Sequence, residues 1–590
     1  MKVSEAERRM PPLGAGRRAA GLALLGWLDD ERAPRLCRII GSPGAGKSHL
    51  LAWLVRGCTM GTTPSGQRIH GVVPAAGLSL RGAVWTLGQQ FNLVAHSPGE
   101  LLAAIGRDDR RTVICVPEFD RAAEPGRLVS ELLNPLLEMP HVRLLVEASQ
   151  TPGFEAVPEP AVLDLDEPRW TDREQFASWC AEAGADGGGY PSPGRALGES
   201  PTAEDVAALV SRIPAAADGS RDLRAADEEL LTKLWEVAGR AADLGPLATD
   251  PVLYALARPT AVTTAVEGRD DILARAWQAA GPGLIDEPDP GVRAAVLRTR
   301  LLGVDDKAAA ALTDVPGGWT TRWVSWGRGA VEMAAAGPGP YTSQLLVADR
   351  DGTVRTYDSG TGRRTGVVVV PGPKPLRGLA VTSGGTVVLL DSWGGTGLLA
   401  PDQSWPGLEP HQLTEAIEAI REGAAELTTV AAVGRLPGAA PAFGDAAGAV
   451  HWAEPDEILS AQLHQGPVTA LAAVALGGGL SEPDLPLLLS GGLDGTVQLW
   501  GPASEPMSEA SDRRDCPVTA VAAGATAAGA LVAAAWSDGL VRVRDLGGAG
   551  GVLDIRPGSE IWSMALIGTL LVLGMPDGLA TIDLRRRGGP

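Results

Sequence analysis

Eight consecutive residues, Gly41-Ser42-Pro43-Gly44-Ala45-Gly46-Lys47-Ser48, have the types and spacing to hold a phosphate group. Glycines let the chain bend so that the backbone N–H groups of residues 44–48 wrap one anion, and a following helix adds its dipole. Lys47 would reach the β- and γ-phosphates, and the Ser48 hydroxyl would ligate Mg²⁺. The loop, Gly41 to Ser48 with Pro43 and Ala45 included, is therefore expected to bind ATP or ADP with Mg²⁺. Only five lysines occur in 590 residues (2, 47, 233, 307 and 374), so a lysine at this one place carries weight.

Turnover needs acids as well. A second strand normally ends in a carboxylate that holds Mg²⁺ through water, often with another acid to activate the attacking water. The candidate strand TVICV (112–116) runs into Pro117-Glu118-Phe119-Asp120-Arg121, so proline occupies the place directly after it. Glu118 and Asp120 are the catalytic candidates, and Asp120 joins Ser48 as a metal candidate. The other reading makes both acids solvated loop charges. The strand VRLLVEA (142–148) leads to Ser149-Gln150, where a polar residue would contact the γ-phosphate. No GxSxG or HExxH pattern is present, and five scattered cysteines lack zinc-type spacing and fit a reducing cytosol.

The loop needs a strand before it and a helix after it. RLCRII (35–40) and HLLAWLVRG (49–57) supply them. RLCRII, TVICV, VRLLVEA and AVLDL (161–165), separated by helical patterns, predict a parallel sheet in an α/β domain over residues 1–165. Residues 166–317 read as a helical lid or linker, with PTAEDVAALVSRI (201–213), LRAADEELLTKLWEVAGRA (223–241) and a Gly/Pro-rich loop at 184–194.

From 318 to 590 helical periodicity gives way to short β-runs, and 9 of the 16 tryptophans lie there. A small-residue turn and strand recur as DRDGTVRTYD (349–358), TSGGTVVLLD (382–391), DAAGAVHWAE (445–454), GLDGTVQLWG (492–501), WSDGLVRVRD (536–545) and MPDGLATIDL (575–584). Turn glycines at 352, 385, 448, 495, 539 and 578 are spaced 33, 63, 47, 44 and 39 apart, the long step holding a helix-like insertion at 411–427. Periods near 40–45 predict a β-propeller of six or seven blades. WTTRWVSW (319–326) is expected to complete the last blade and close the ring. A β-sandwich with glycine-rich turns is the other reading.

These motifs together resemble the STAND class of P-loop ATPases, NACHT-type proteins included, and more narrowly the actinobacterial members with C-terminal WD-repeat propellers. The resemblance is carried by LGAGRRAAGLALLGWL (13–28), the phosphate loop, VPEFDRAAEPGRLVSELLNPLL (116–137) and VLDLDEPRWTDREQFASWCAEAG (162–184). Relatives read Asp-small-Leu-Asp-Glu-Ala after the second strand. Here Pro117 replaces the first Asp, Asp120 matches the second and Arg121 replaces Glu, which leaves turnover open between a weak ATPase and none. The Gly-Arg box makes Arg17 and Arg18 candidates for contact with the nucleotide, with a solvated first-helix face as the other reading. WD-repeat features are loose: no unit has Gly-His, and the Trp-Asp ending survives only as variants.

The resemblance implies a signalling switch in which nucleotide state governs the propeller and a ligand there releases it, with a place in bacterial defence or conflict signalling. Protein partners through the propeller, a separate effector chain and nucleotide-dependent self-assembly would follow. The alternative is a non-hydrolysing nucleotide-binding scaffold. A formal charge of −20 argues against nucleic acid or an anionic membrane as partner. The N-terminus has no apolar signal-peptide core, and the uncharged stretches 516–537 and 561–576 are broken by Gly or Pro, so a cytoplasmic protein is expected.

Overall fold

The computed structural model describes residues 13–59, 63–148, 153–154, 157, 159–183, 206–215, 221–241, 244–335, 341, 343–401, 406–433, 438–454, 457–477, 484–526, 529–547 and 551–585. The Gly/Pro-rich loop at 184–194 and Ser149-Gln150 lie outside them. The chain forms two compact units, 1–288 and 289–590.

The first unit is built on five parallel strands: β1 (Leu36–Ile40), β2 (Gly71–Val72), β3 (Thr112–Val116), β4 (Val142–Glu147) and β5 (Ala161–Asp164), in the order β2-β3-β4-β1-β5. β4 is buried along all six residues, as expected for a central parallel strand covered on both faces. Helix α1 (Arg18–Asp29) packs Leu24, Trp27 and Leu28 into a core shared with Ile39, Leu50 and Leu54. Helix α2 (Lys47–Cys58) follows β1 after one tight loop. Helices over 206–280 belong to the same unit. Their core is an aromatic row, Trp235, Tyr254 and Trp277, with ring centroids 4.9 and 5.8 Å apart. The indole N–H groups donate to Leu253 O at 3.2 Å and Thr263 Oγ1 at 3.0 Å, so their burial leaves no donor unsatisfied.

The second unit begins at Asp289, so the helices Pro290–Leu301 and Asp306–Ala311 group with the β-region rather than with the helices before them. Six antiparallel sheets follow, and together they are a six-bladed β-propeller. Among the described residues five blades have four strands and the second has three, Leu376–Val381, Val387–Asp391 and Thr396–Leu399. The last sheet takes its outer strand from Thr320–Trp326, which pairs with Gly578–Asp583, so the chain closes the ring as the sequence predicts. Closure is reinforced from the preceding helix. Arg300 donates to Asp577 at 2.6 Å and lies over the Trp326 ring, and Thr299 and Thr321 hydroxyls meet at 2.6 Å.

One register assignment changes. The sequence reading takes TSGGT (382–386) as the second repeat turn, but these residues join the first and second strands of that blade. The turn equivalent to the others is Asp391–Gly395, joining the second and third strands. With Gly394 as the marker, the spacings of 33 and 63 become 42 and 54. The helix Pro410–Gly423 fills the position after the three-stranded blade, burying Ile417 and Ile420 against Leu390, Val430 and Phe443. The uncharged stretches 516–537 and 561–576 contain the strands Val518–Thr526, Gly529–Trp536, Ser563–Ile567 and Leu570–Met575 of the last two blades. Among the described residues no helix is long and apolar enough to cross a membrane.

Candidate functional site

The loop 41–48 lies at the carboxyl end of β1, where open parallel sheets bind ligands. Gly41, Gly44 and Gly46 have φ of +145°, +83° and +83°, the region that L side chains avoid. Gly46 is the N-cap of α2, and no side chain caps that end. Among the described residues, the amides of Gly44, Gly46, Lys47 and Ser48 meet no protein acceptor, so four donors converge at a helix N-terminus. Pro43 and Gly44 are exposed. The Lys47 ammonium folds over the loop and donates to Gly41 O at 2.8 Å and Ser42 O at 3.3 Å. Both acceptors are neutral carbonyls, whereas a phosphate offers a charged one.

Among the contacts of the described residues, the carboxylates of Asp166 and Glu147 touch the loop, and the sequence reading nominates neither. Asp166, just past β5, accepts from the Ser42 amide at 2.7 Å and from its hydroxyl at 2.8 Å. Glu147, the last residue of β4, accepts from Ser48 Oγ at 2.8 Å and from the Glu118 amide at 3.1 Å. Its side chain is brought there by parallel pairing of Ile39 with Glu147. Burial raises the Glu147 pKa, and the Ser48 hydroxyl, the Glu118 amide and Lys47 oppose that rise. The sequence carries a signal for it: Glu147 is the one acid in VRLLVEA, at the end of the strand and two residues before Ser149-Gln150.

The nominated acids lie differently. Glu118 takes a left-handed backbone, φ +53°, as the chain leaves Val116 through Pro117. Its carboxylate pairs with Arg121 at 2.8 Å. Asp120 is exposed on the short turn Phe119–Arg121. Arg17 is buried (2% exposed) and donates to the Ala45 carbonyl, to Thr171 Oγ1 and, at 3.3 Å, to Trp170 O. It ties the loop's backbone to the segment after β5. Arg18 is exposed.

A second concavity of about 970 Å³ opens between the sheet's β2–β3 end and the helices Glu228–Ala241 and Pro259–Ala265. Its arginines pair with nearby acids: Arg81 with Glu267, Arg127 with Glu124 and Glu131, Arg269 with Asp271. Charge there is neutralised locally, so the loop is the stronger candidate for holding an anion.

In the propeller the repeat is an acid in each turn between second and third strands. Asp349 meets Arg355, Asp391 meets Lys374 at 3.2 Å, and Asp445 meets His451 at 3.1 Å. Asp494 meets His464 at 3.3 Å, Asp538 meets Arg514 and Arg556, and Asp577 meets Arg300. In the fourth blade His464 also bonds Thr496 Oγ1 at 2.9 Å and Ser490 Oγ at 2.8 Å. Burial lowers the His464 pKa against the pull of Asp494. A histidine outside the Gly-His dipeptide thus ties the turn to the strand, which a dipeptide search misses.

No protein-family model matches the chain, and no curated protein matches it. Among solved structures, the RRP9 WD40 repeats are 16% identical over 44% of this chain and 95% of that chain, with a TM-score of 0.27. U3-55K gives 16%, 44%, 96% and 0.27. The computationally designed Ika8 protein gives 15%, 45%, 99% and 0.28. At these scores the propeller stands on its own strand pairing.

Proposed function

We propose that the chain is a nucleotide-binding signalling switch of the STAND type, in which loop 41–48 binds ATP or ADP with Mg²⁺ and the propeller engages a protein partner. The observation that carries this reading is the loop itself: four unengaged amides, three left-handed glycines and Lys47 gathered at the start of α2. Propellers commonly serve as interaction platforms, which supports a protein ligand for the second unit. Ser48 and Lys47 are the residues that would meet the nucleotide's metal and phosphates, and Mg²⁺ would supply charge neutralisation of those phosphates.

A scaffold that binds nucleotide without turning it over is favoured by one observation. Glu118 is engaged by Arg121 and Asp120 is exposed on the turn after β3, while Ser48 bonds Glu147 instead. The reading is tested on the purified full chain by measuring ATP and ADP affinity, ATP turnover and molecular mass with and without nucleotide. Wild type should bind ATP, and Lys47→Ala should weaken binding by about a hundredfold or more. Nucleotide-dependent mass or partner binding supports the switch. Nucleotide binding with neither turnover nor change in assembly supports the scaffold, and no binding at all refutes both.

A further inference from the structure

We propose that Glu147, at the end of β4, is the carboxylate that holds the divalent cation of the bound nucleotide together with Ser48. The inference rests on the nucleotide reading above and names a residue for which neither Glu118 nor Asp120 substitutes.

Three features of the fold argue for it. First, position: β4 lies directly beside β1, and parallel pairing sets Glu147 opposite Ile39, at the level where the loop begins. Second, contact: Glu147 Oε1 is 2.8 Å from Ser48 Oγ, the hydroxyl expected to meet the metal. Its second oxygen is fixed by the Glu118 amide at 3.1 Å, and the side chain is 6% exposed, so its direction is set before any ligand arrives. Third, donor chemistry: a carboxylate and a hydroxyl are hard oxygen donors, the set that suits Mg²⁺.

Mg²⁺ is usually held by one or two carboxylates plus substrate phosphates, not by an all-protein cage. The alternatives at the end of β3 are diverted. Pro117 has no carboxylate, the Glu118 side chain is drawn off by Arg121 at 2.8 Å, and Asp120 is exposed. What β3 does supply is the Glu118 backbone N–H, which orients Glu147. The left-handed turn at Glu118 aims that amide, so the altered β3 terminus keeps a positioning role while the acid moves one strand inward.

The test is ATP affinity of the full chain in Mg²⁺ against EDTA, by calorimetry. Wild type should bind ATP at least about tenfold more tightly with Mg²⁺. Glu147→Gln should match wild type in EDTA and lose that gain, while Glu118→Gln and Asp120→Asn keep it. A Glu147→Gln variant that retains the gain, or loss of the gain in either other variant, overturns the proposal. Should Glu147→Gln fail to fold, the other two variants decide: retention in both supports Glu147, and loss in either refutes it. Wild type that binds ATP equally in both buffers refutes the metal assignment alone. Wild type that binds no ATP refutes the nucleotide reading as well.

Discussion

The loop at 41–48 and the turns of the propeller are made from the same small residues, and they use their backbone amides in opposite ways. In five of the six propeller turns an aspartate side chain accepts from the turn's own amides, while Asp577 in the last accepts from Arg300. Asp349 accepts from the amides of Asp351 and Thr353, Asp391 from Trp393 and Gly395, and Asp445 from Ala447 and Ala449. The loop 41–48 contains no acid, and among the described residues the amides of Gly44, Gly46, Lys47 and Ser48 meet no acceptor. Left-handed glycines occur in both, so glycine alone does not separate a binding loop from a structural one. The carboxylate does, because a turn that satisfies its own donors has nothing to offer an anion.

The largest effect expected from this contrast is at Gly352, whose φ is +78° and whose added Cβ would run into the Lys374 carbonyl of the neighbouring blade. Gly352→Ala should destabilise the propeller by about 3 kcal/mol in denaturant titrations. A loss under about 1 kcal/mol would show that these turns are not built tightly against their neighbours. Next is Asp494, which holds its own turn, the Gln465 amide and His464. Its pKa is lowered: burial resists ionisation, but the Gln465 amide, the Thr496 hydroxyl and amide and His464 outweigh it. Asp494→Ala should cost about 2 kcal/mol at neutral pH. A carboxylate with a depressed folded-state pKa stabilises above its unfolded value, so the difference from wild type should fade as pH falls below about 4. A difference that persists in acid would assign the effect to packing.

Glu332 tests the propeller's interior. It lines a channel of about 120 Å³ formed by the innermost strands of all six blades, whose other lining residues are uncharged. Burial pushes its pKa up to about 8 from 4.5. The folded state therefore holds this proton more tightly than the unfolded chain, and the stability so contributed is full below pH 4.5 and lost as pH rises through about 8. Glu332→Gln should leave the melting temperature unchanged at low pH and raise it by roughly 2–4 °C at pH about 9. Equal melting profiles across that range would show the carboxylate to be well solvated. The smallest effect on stability is expected at Gly44, where φ is +83° but nothing lies within 4 Å of an added Cβ. Gly44→Ala should destabilise the first unit by only about 1 kcal/mol while weakening ATP binding well beyond that. Unchanged ATP affinity would put the phosphate elsewhere.

The glycine spacing and the β-period were enough to read a propeller, and the surplus strand at 319–326 was enough to predict how it closes. Blade register was harder. Asp391-Ser392-Trp393-Gly394-Gly395 lacks the Asp-Gly pair, so the eye falls on TSGGT instead, although only the former pairs second with third strand. His464 and Asp494 are 30 residues apart, and Arg300 and Asp577 are 277 apart. No local pattern announces such partners.

At the candidate site, sequence alone determined the loop. The proposed phosphate site rests on consecutive residues, because backbone amides, left-handed glycines and a helix start are all local properties. The acid facing it was decided by tertiary structure. Sequence order points to whatever follows β3, whereas the sheet order β2-β3-β4-β1-β5 makes β4 the neighbour of β1 and delivers Glu147 to Ser48. Strand adjacency is a long-range outcome of packing, and it determines which carboxylate can reach a hydroxyl 99 residues away.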